Sequence, residues 1–233
     1  MDNSSKLISA LIEHQAFFAP LLDQDLNGPL VTRLDFTAAN PALLHADLRD
    51  TAAFEQLVQH MLEAKNATVG VGGYFENRVI YRRSEHFDNT AESRSLHLGV
   101  DIWAPAGIPI YSPLAGKVHS FQDNANFGDY GPTIILQHEL EGLEFFTLYG
   151  HLSRISLDGL FAGKQVAAGE QIATMGPYPE NGDWPPHLHF QVMTDLLGKS
   201  GDFPGVCAPS EEGFYRKICL DPNLLLGCKY LLM

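Results

Sequence analysis

From about residue 67 to 195 the chain is cut into short apolar or alternating runs, roughly ten residues apart and punctuated by Gly and Pro. Val79–Tyr81, Ile108–Ser112, Lys117–Phe121, Thr133–His138, Glu144–Tyr149, Gln171–Met175 and Leu188–Met193 are such runs. Helical periodicity is absent here. Short strands at this spacing close into an antiparallel sandwich or barrel, so the expected fold class is mainly β, with a compact antiparallel β core.

Residues 1–66 read differently, as a mixed, largely helical N-terminal region. Ser4 or Ser5 is placed to cap a helix carrying Leu7, Ile8, Leu11 and Ile12, which ends before Pro20. A second helix spans 51–65, capped by Asp50 or Thr51, with Phe54, Leu57, Val58, Met61 and Leu62 on one face and Asn66 as its stop. Leu30–Phe36 reads as a short strand. The expected division is therefore 1–66, a β core over 67–195, and a Gly/Pro-broken C-terminal extension over 196–233 packed on that core. No internal repeat is visible.

Composition bounds the partners. Fifteen Lys+Arg against 28 Asp+Glu give a formal net charge of −13 over 233 residues. That charge opposes binding to nucleic acid, which needs phosphate neutralisation, and docking on anionic lipid. Cys207, Cys219 and Cys228 form neither an even set nor a C-x-x-C pair, so free, half-buried thiols are expected. The apolar stretch Leu7–Ile12 is interrupted by Glu13, His14 and Gln15, so no signal-peptide core forms, and no run reaches the ~20 residues of a membrane span. The expected location is cytoplasmic. Composition does not bear on oligomeric state.

Chemistry concentrates in three stretches of the β region: His97-Leu-Gly-Val-Asp101, Tyr149-Gly-His151-Leu-Ser153 and Pro186-His187-Leu-His189-Phe190. On a strand, His187 and His189 point to one face with Cα atoms ~6.6 Å apart, close enough to address one metal and its bound substrate. His97 and Asp101 would lie ~13 Å apart if fully extended, so the chain must bend between them, and Gly99 bends most cheaply. A carboxylate and two imidazoles leave Zn²⁺ a position open to water, the catalytic rather than the structural pattern. Spacing alone assigns neither the ligating imidazoles nor the base.

Other motifs fail on inspection. His138-Glu139 is followed by Gly142 where a thermolysin-type helix needs histidine, and Gly198-Lys199-Ser200 has Met193 where a P-loop needs glycine. The nearby Glu and later His of a cupin site are missing after His189. His60, His119 and His138 are expected to be structural or solvated. His14, His45 and His86 carry no signal. Trp103 and Trp184 flank the first and last motifs, as groove walls or as core.

These stretches, in order and joined by Gly163, Val166, Gly169, Ile172 and Gly176, closely resemble the lysostaphin/LytM-type zinc metallopeptidases that cut peptidoglycan cross-bridges, over about residues 95–193. The resemblance implies a zinc site of His97, Asp101 and His189, with His151 and His187 as the two non-ligand histidines. It implies a compact antiparallel β core with the site in a groove. It also implies hydrolysis of an amide bond in peptidoglycan-type peptides through a metal-bound water, with those two histidines assisting proton transfer. Two features depart from wall-cutting relatives: the acidic charge without an export signal, and the stretch Tyr178–Pro186 in place of a short Gly/Ser/Thr turn. A looser resemblance is to peptidase-like modules inside cytoplasmic multidomain proteins with aminotransferase and phosphotransferase parts. Alternative functions are a cytoplasmic zinc hydrolase of a small amide or peptide, and a non-catalytic regulatory module.

Overall fold

The computed structural model describes residues 2–83 and 92–232; His86 lies outside them. The strands are β1 (Val31–Arg33), β2 (Val69–Gly72), β3 (Leu96–His97), β4 (Val100–Trp103), β5 (Pro109–Tyr111), β6 (Gly116–Asn124), β7 (Gly131–Leu140), β8 (Leu143–Gly150), β9 (Gln165–Val166), β10 (Gln171–Thr174), β11 (His187–Met193), β12 (Val206–Cys207) and β13 (Cys219–Leu220). The helices are α1 (Asn3–His14), α2 (Thr51–Glu63), α3 (Glu212–Ile218) and α4 (Asn223–Leu226). The main sheet runs β1-β2-β4-β11-β8-β7-β6-β9, with β13 also paired to β11. Two ribbons, β5–β10 and β3–β12, stand apart from it.

Every pairing is antiparallel except β1–β2, where Val31 is in register with Val69. The sheet is therefore mixed, but the parallel partner β1 comes from the N-terminal region; the pairings among the described strands of residues 67–195 are antiparallel, as expected of the core. A parallel pair needs a crossover, and α2 supplies it: β1, α2 and β2 form a βαβ unit added at the β4 edge. Phe54, Val58 and Leu62 give α2 one buried face, packed with Phe36, Trp103 and Trp184. Asp50 caps it, accepting from the Ala52 and Ala53 amides. Asn66, just beyond, has φ 52°, a left-handed turn that asparagine tolerates.

Three local readings are corrected. Asp2, not Ser4 or Ser5, caps α1, its carboxylate accepting from Ser5 N at 2.8 Å. Ile80–Arg83, which takes up the last two residues of the Val79–Tyr81 run expected as a strand, is a 3-10 turn, and Val79 N before it bonds Phe36 O. The three thiols are free and fully buried rather than half-buried, their apolar surroundings raising each pKa. The C-terminal extension enters the sheet through β13 and ties back to the N-terminal region: Gln15 donates to the carbonyls of Asn223 and Leu224, and Asn27 bonds the backbone at Gly227 and Lys229. Among the described residues no helix is long and apolar enough to cross a membrane.

The main core joins sheet residues such as Val100, Ile102, Ile134, Leu136, Tyr149 and Phe190 to Ile110, Ala173 and Met175 from the β5–β10 region. Burying one such side chain stabilises the fold by roughly 1.5–3 kcal/mol. β11 is buried along its whole length between β4 and β8. Side chains on this strand are thus held in place from both flanks.

Candidate metal centre

The register of β11 assembles the site. His189 sits opposite Asp101 of β4 on one side and Gly150 of β8 on the other, and His151 follows immediately. His97 arrives from the separate β3–β12 ribbon. Its carbonyl accepts from Phe75 N at 2.7 Å, and its amide donates to Glu76 O at 3.1 Å. Between β3 and β4 lies Gly99. A Cβ there would meet Phe190 O at 2.6 Å and His189 Cε1 at 2.8 Å. Glycine is thus required for close approach to the histidine strand.

His97, Asp101 and His189 present one atom each to a common point. His97 Nε2 lies 2.9 Å from His189 Nδ1 and 3.2 Å from Asp101 Oδ1, and His189 Nδ1 is 3.1 Å from that same oxygen. Tetrahedral zinc with bonds of ~2.0–2.1 Å separates its ligand atoms by about 3.3 Å. The outer partners turn lone pairs inward. His97 Nδ1 faces Gly73 O at 3.1 Å, and that carbonyl can only accept, so the proton sits on Nδ1 and Nε2 is bare. His189 Nε2 is 3.0 Å from Gln191 Oε1, while the Gln191 amide nitrogen donates to Pro204 O and Cys219 Sγ. Its oxygen therefore faces His189, which leaves Nδ1 bare. Two imidazole lone pairs and a carboxylate oxygen at this spacing repel one another unless a cation lies among them, so the donor set fits Zn²⁺.

Burial sets the protonation. Desolvation, aided by the Arg78 charge, pushes the pKa of His97 down to about 3. Burial would raise the Asp101 carboxyl, but His97, Arg78 and His187 together outweigh it and hold the group well below the usual carboxylate range. Asp101 Oδ2 is engaged by Arg78 Nη1 in a buried ion pair.

His151 and His187 stand beside this centre. Their ring centroids are 4.1 Å apart, and His187 Nε2 is 4.0 Å from Asp101 Oδ2. Each donates Nδ1–H to a carbonyl, His151 to Asn181 O and His187 to Pro185 O, both at 2.8 Å, which leaves each Nε2 as the basic atom. Desolvation is the main cause that pushes His187 down to about 4 and His151 well below its ordinary value. His151 is held at φ 61°, in the left-handed region, by its amide on Tyr130 O and its carbonyl on Gly176 N.

A cavity of about 190 Å³ opens on Asp101, His151, His187 and His189, with Tyr81, Tyr130 and Trp184 in its wall. Trp184 is groove wall; Trp103 is core, 1% exposed and stacked on His187 at 4.1 Å. The Tyr178–Pro186 stretch borders the cavity. Asn181 in it is fully buried, bonding Gly176 O and both the amide and the carbonyl of Trp184, and Thr51 of α2 donates to Asp183 O.

All five site residues expected from the sequence thus meet in one buried cluster. His138 is a buried structural histidine between Ala115 O and Thr147, His119 pairs with Ser120, and His60 is exposed on α2. Sequence reasoning missed Arg78, Glu76, Tyr130, Asn181 and Gln191. Gln191 had a signal, as the next same-face position after His187 and His189. Glu76 and Arg78 lie two apart, but in a segment with no strand pattern to reveal that they pair with each other and, through Arg78, with Asp101.

Known proteins resemble the segment of the chain that carries this site. The sequence model of peptidase family M23 matches residues 95–201. The uncharacterized lipoprotein YgeR of Escherichia coli is 37% identical over 94 residues, 40% of this chain and 33% of that protein. The DD-carboxypeptidase/endopeptidase Mpg of Neisseria meningitidis is 32% identical over 117 residues, 50% of this chain and 24% of that protein. The chain thus spans a third or less of the length of these curated relatives. Among solved structures, the catalytic domain of lysostaphin from Staphylococcus simulans aligns over 52% of this chain and 80% of its own, at 26% identity and a TM-score of 0.36. Residues 95–201, the segment that matches the model of peptidase family M23, carry all five clustered side chains.

Proposed function

We propose that this chain is a zinc-dependent metallopeptidase that hydrolyses an amide bond in peptidoglycan-type peptides. His97, Asp101 and His189 are the metal ligands, and His151 and His187 carry protons. The observation that supports this reading best is the convergence of three buried electron-pair donors at 2.9–3.2 Å, each turned inward by a partner behind it. Zinc at that point would polarise the scissile carbonyl and supply a water acidic enough to react near neutral pH.

The chain's own residues do the rest. His151 and His187 are neutral, and each has its Nδ1 proton tied to a carbonyl, so each Nε2 can accept a proton from the attacking water or pass one to the leaving amine. Once protonated, the second imidazolium helps to stabilise the oxyanion. Tyr81, Tyr130 and Trp184 in the wall limit the water around the reacting atoms. The match to the M23 family model supports a peptide substrate, and the Neisseria relative, a DD-carboxypeptidase/endopeptidase, supports peptide-bond hydrolysis. A hydrolase of a smaller amide on the same fold is favoured by site depth, since the five side chains are only 1–5% exposed.

The test incubates zinc-loaded protein with purified muropeptides, beside a His97→Ala control. New amino termini released only by the unmutated protein are expected. No turnover of any cross-linked or stem peptide by metal-replete protein sinks the proposal, and turnover of short amides alone selects the smaller-substrate reading.

A further inference from the structure

The two oxygens of Asp101 face different partners. Oδ1 points at His97 Nε2 and His189 Nδ1, at 3.2 and 3.1 Å. Oδ2 is taken by Arg78, whose side chain is wholly buried. Arg78 is itself fixed along its other edge, where Nε donates to Glu76 Oε2 at 2.8 Å, and its guanidinium lies over the Phe36 ring at 5.5 Å. Gly72 leaves it room: a Cβ there would sit 2.6 Å from Nη2. Gly72 is also the residue opposite Asp101 in the β2–β4 register, so the room for the guanidinium is left by the strand neighbour of the carboxylate it grips.

The guanidinium is thus clamped between two buried carboxylates, one of which faces the histidine pair. A planar fork with donors on separate edges can hold both at once, whereas an ammonium is a single point charge. With Arg78 in place, Asp101 cannot turn its second oxygen toward the histidines.

We propose that Arg78, held by Glu76, is the positioning residue of the metal centre, reserving Oδ2 so that Asp101 offers a metal Oδ1 alone. The inference rests on reading His97, Asp101 and His189 as zinc ligands. It adds a determinant contributed from outside the family-matched segment, which begins at residue 95.

Arg78→Lys tests it, since lysine keeps the buried positive charge but loses the fork. After a cooperative thermal transition confirms folding, Zn²⁺ affinity is measured against a chromophoric chelator, and the visible spectrum of the Co²⁺-loaded protein is recorded. A positioning role predicts affinity about 10–100-fold weaker and an altered Co²⁺ spectrum, as loss of a partner behind a metal ligand commonly gives. Glu76→Gln, which keeps the Arg78–Asp101 pair but frees the guanidinium, should shift both readouts the same way by less, and it decides the matter if Arg78→Lys does not fold. Folded variants with wild-type Zn²⁺ affinity and Co²⁺ spectrum overturn the proposal. So does a wild-type protein that binds no Zn²⁺, which overturns the ligand assignment too. Both readouts are independent of substrate, so the expected shifts in a protein that cleaves no muropeptide sustain this inference while the proposed activity fails.

Discussion

Asp101 and His189 face each other directly across β4 and β11, with Oδ1 3.1 Å from Nδ1, and the acceptor behind His189 leaves no proton between them. Such a pair is tolerable only with a cation nearby, so the metal is expected to act on stability as well as on activity. Zinc at 100 times its dissociation constant contributes about 2.7 kcal/mol. For a chain of this size that is roughly 5–10 °C in Tm. Chelation should lower the melting temperature by this order and zinc should restore it, whereas Asp101→Ala and His189→Ala proteins should respond to neither. A wild-type Tm indifferent to chelator counts against the site.

Gly99 is expected to matter more for function than for folding. Alanine there puts a methyl 2.6 Å from Phe190 O and 2.8 Å from two atoms of the His189 ring. Overpacking of this kind costs about 1–3 kcal/mol. The displaced imidazole is the larger loss, since metal ligands need placement to about half an ångström. Gly99→Ala should fold with a modestly lowered Tm and weakened Zn²⁺ binding. Wild-type metal affinity in this variant would falsify the close-approach account.

His151 and His187 touch the centre without converging on it, so their loss should leave metal content intact. His151→Asn, which tolerates the left-handed backbone, and His187→Ala are each expected to bind one equivalent of zinc and to lose about 10²–10⁴-fold in kcat. Both act as neutral bases, and burial pushes His187 down to about 4. Protonation from the acid side should therefore remove activity only below the ordinary histidine range. A kcat/KM profile whose acid limb lies at pH 6.5 or above, or zinc lost from either variant, contradicts these roles.

The strand texture and the three histidine-bearing stretches are legible in sequence because each is local. H-x-H fixes two side chains on one face, and short apolar or alternating runs mark β6, β7 and β8. The parallel β1–β2 pair was not legible, because two runs of three and four residues gain their identity only once α2 lies across them. Arg78 was hidden for a similar reason: its partner Asp101 is 23 residues away, and Arg78 lies in no strand, placed by a bridge to Thr37 and by its amide on Ser95 O. Asn181 reads as a turn residue in sequence, yet it is the buried post on which both the Trp184 wall and the His151 ring depend. Gln191 apart, these positioning residues reach the site through long-range contacts, and no residue spacing encodes those.

His138 offers a stability test away from the metal. It is 2% exposed, donates Nδ1–H to Ala115 O at 2.9 Å, and has Nε2 2.7 Å from Thr147 Oγ1; desolvation pushes its pKa down to about 4. In the unfolded chain the same ring titrates near 6.5. Between those values unfolding takes up a proton, so the neutral ring's contribution is full above about pH 6.5 and falls as the pH drops toward 4. A gap of this size corresponds to about 3 kcal/mol, of which most is lost by pH 4. His138→Gln keeps a donor and an acceptor but cannot titrate. Denaturant unfolding between pH 7.5 and 4.5 should show the variant less stable at neutral pH, with the difference shrinking steadily as acid is added. Parallel curves for the two proteins across that range would mean that His138 is not held neutral in the fold.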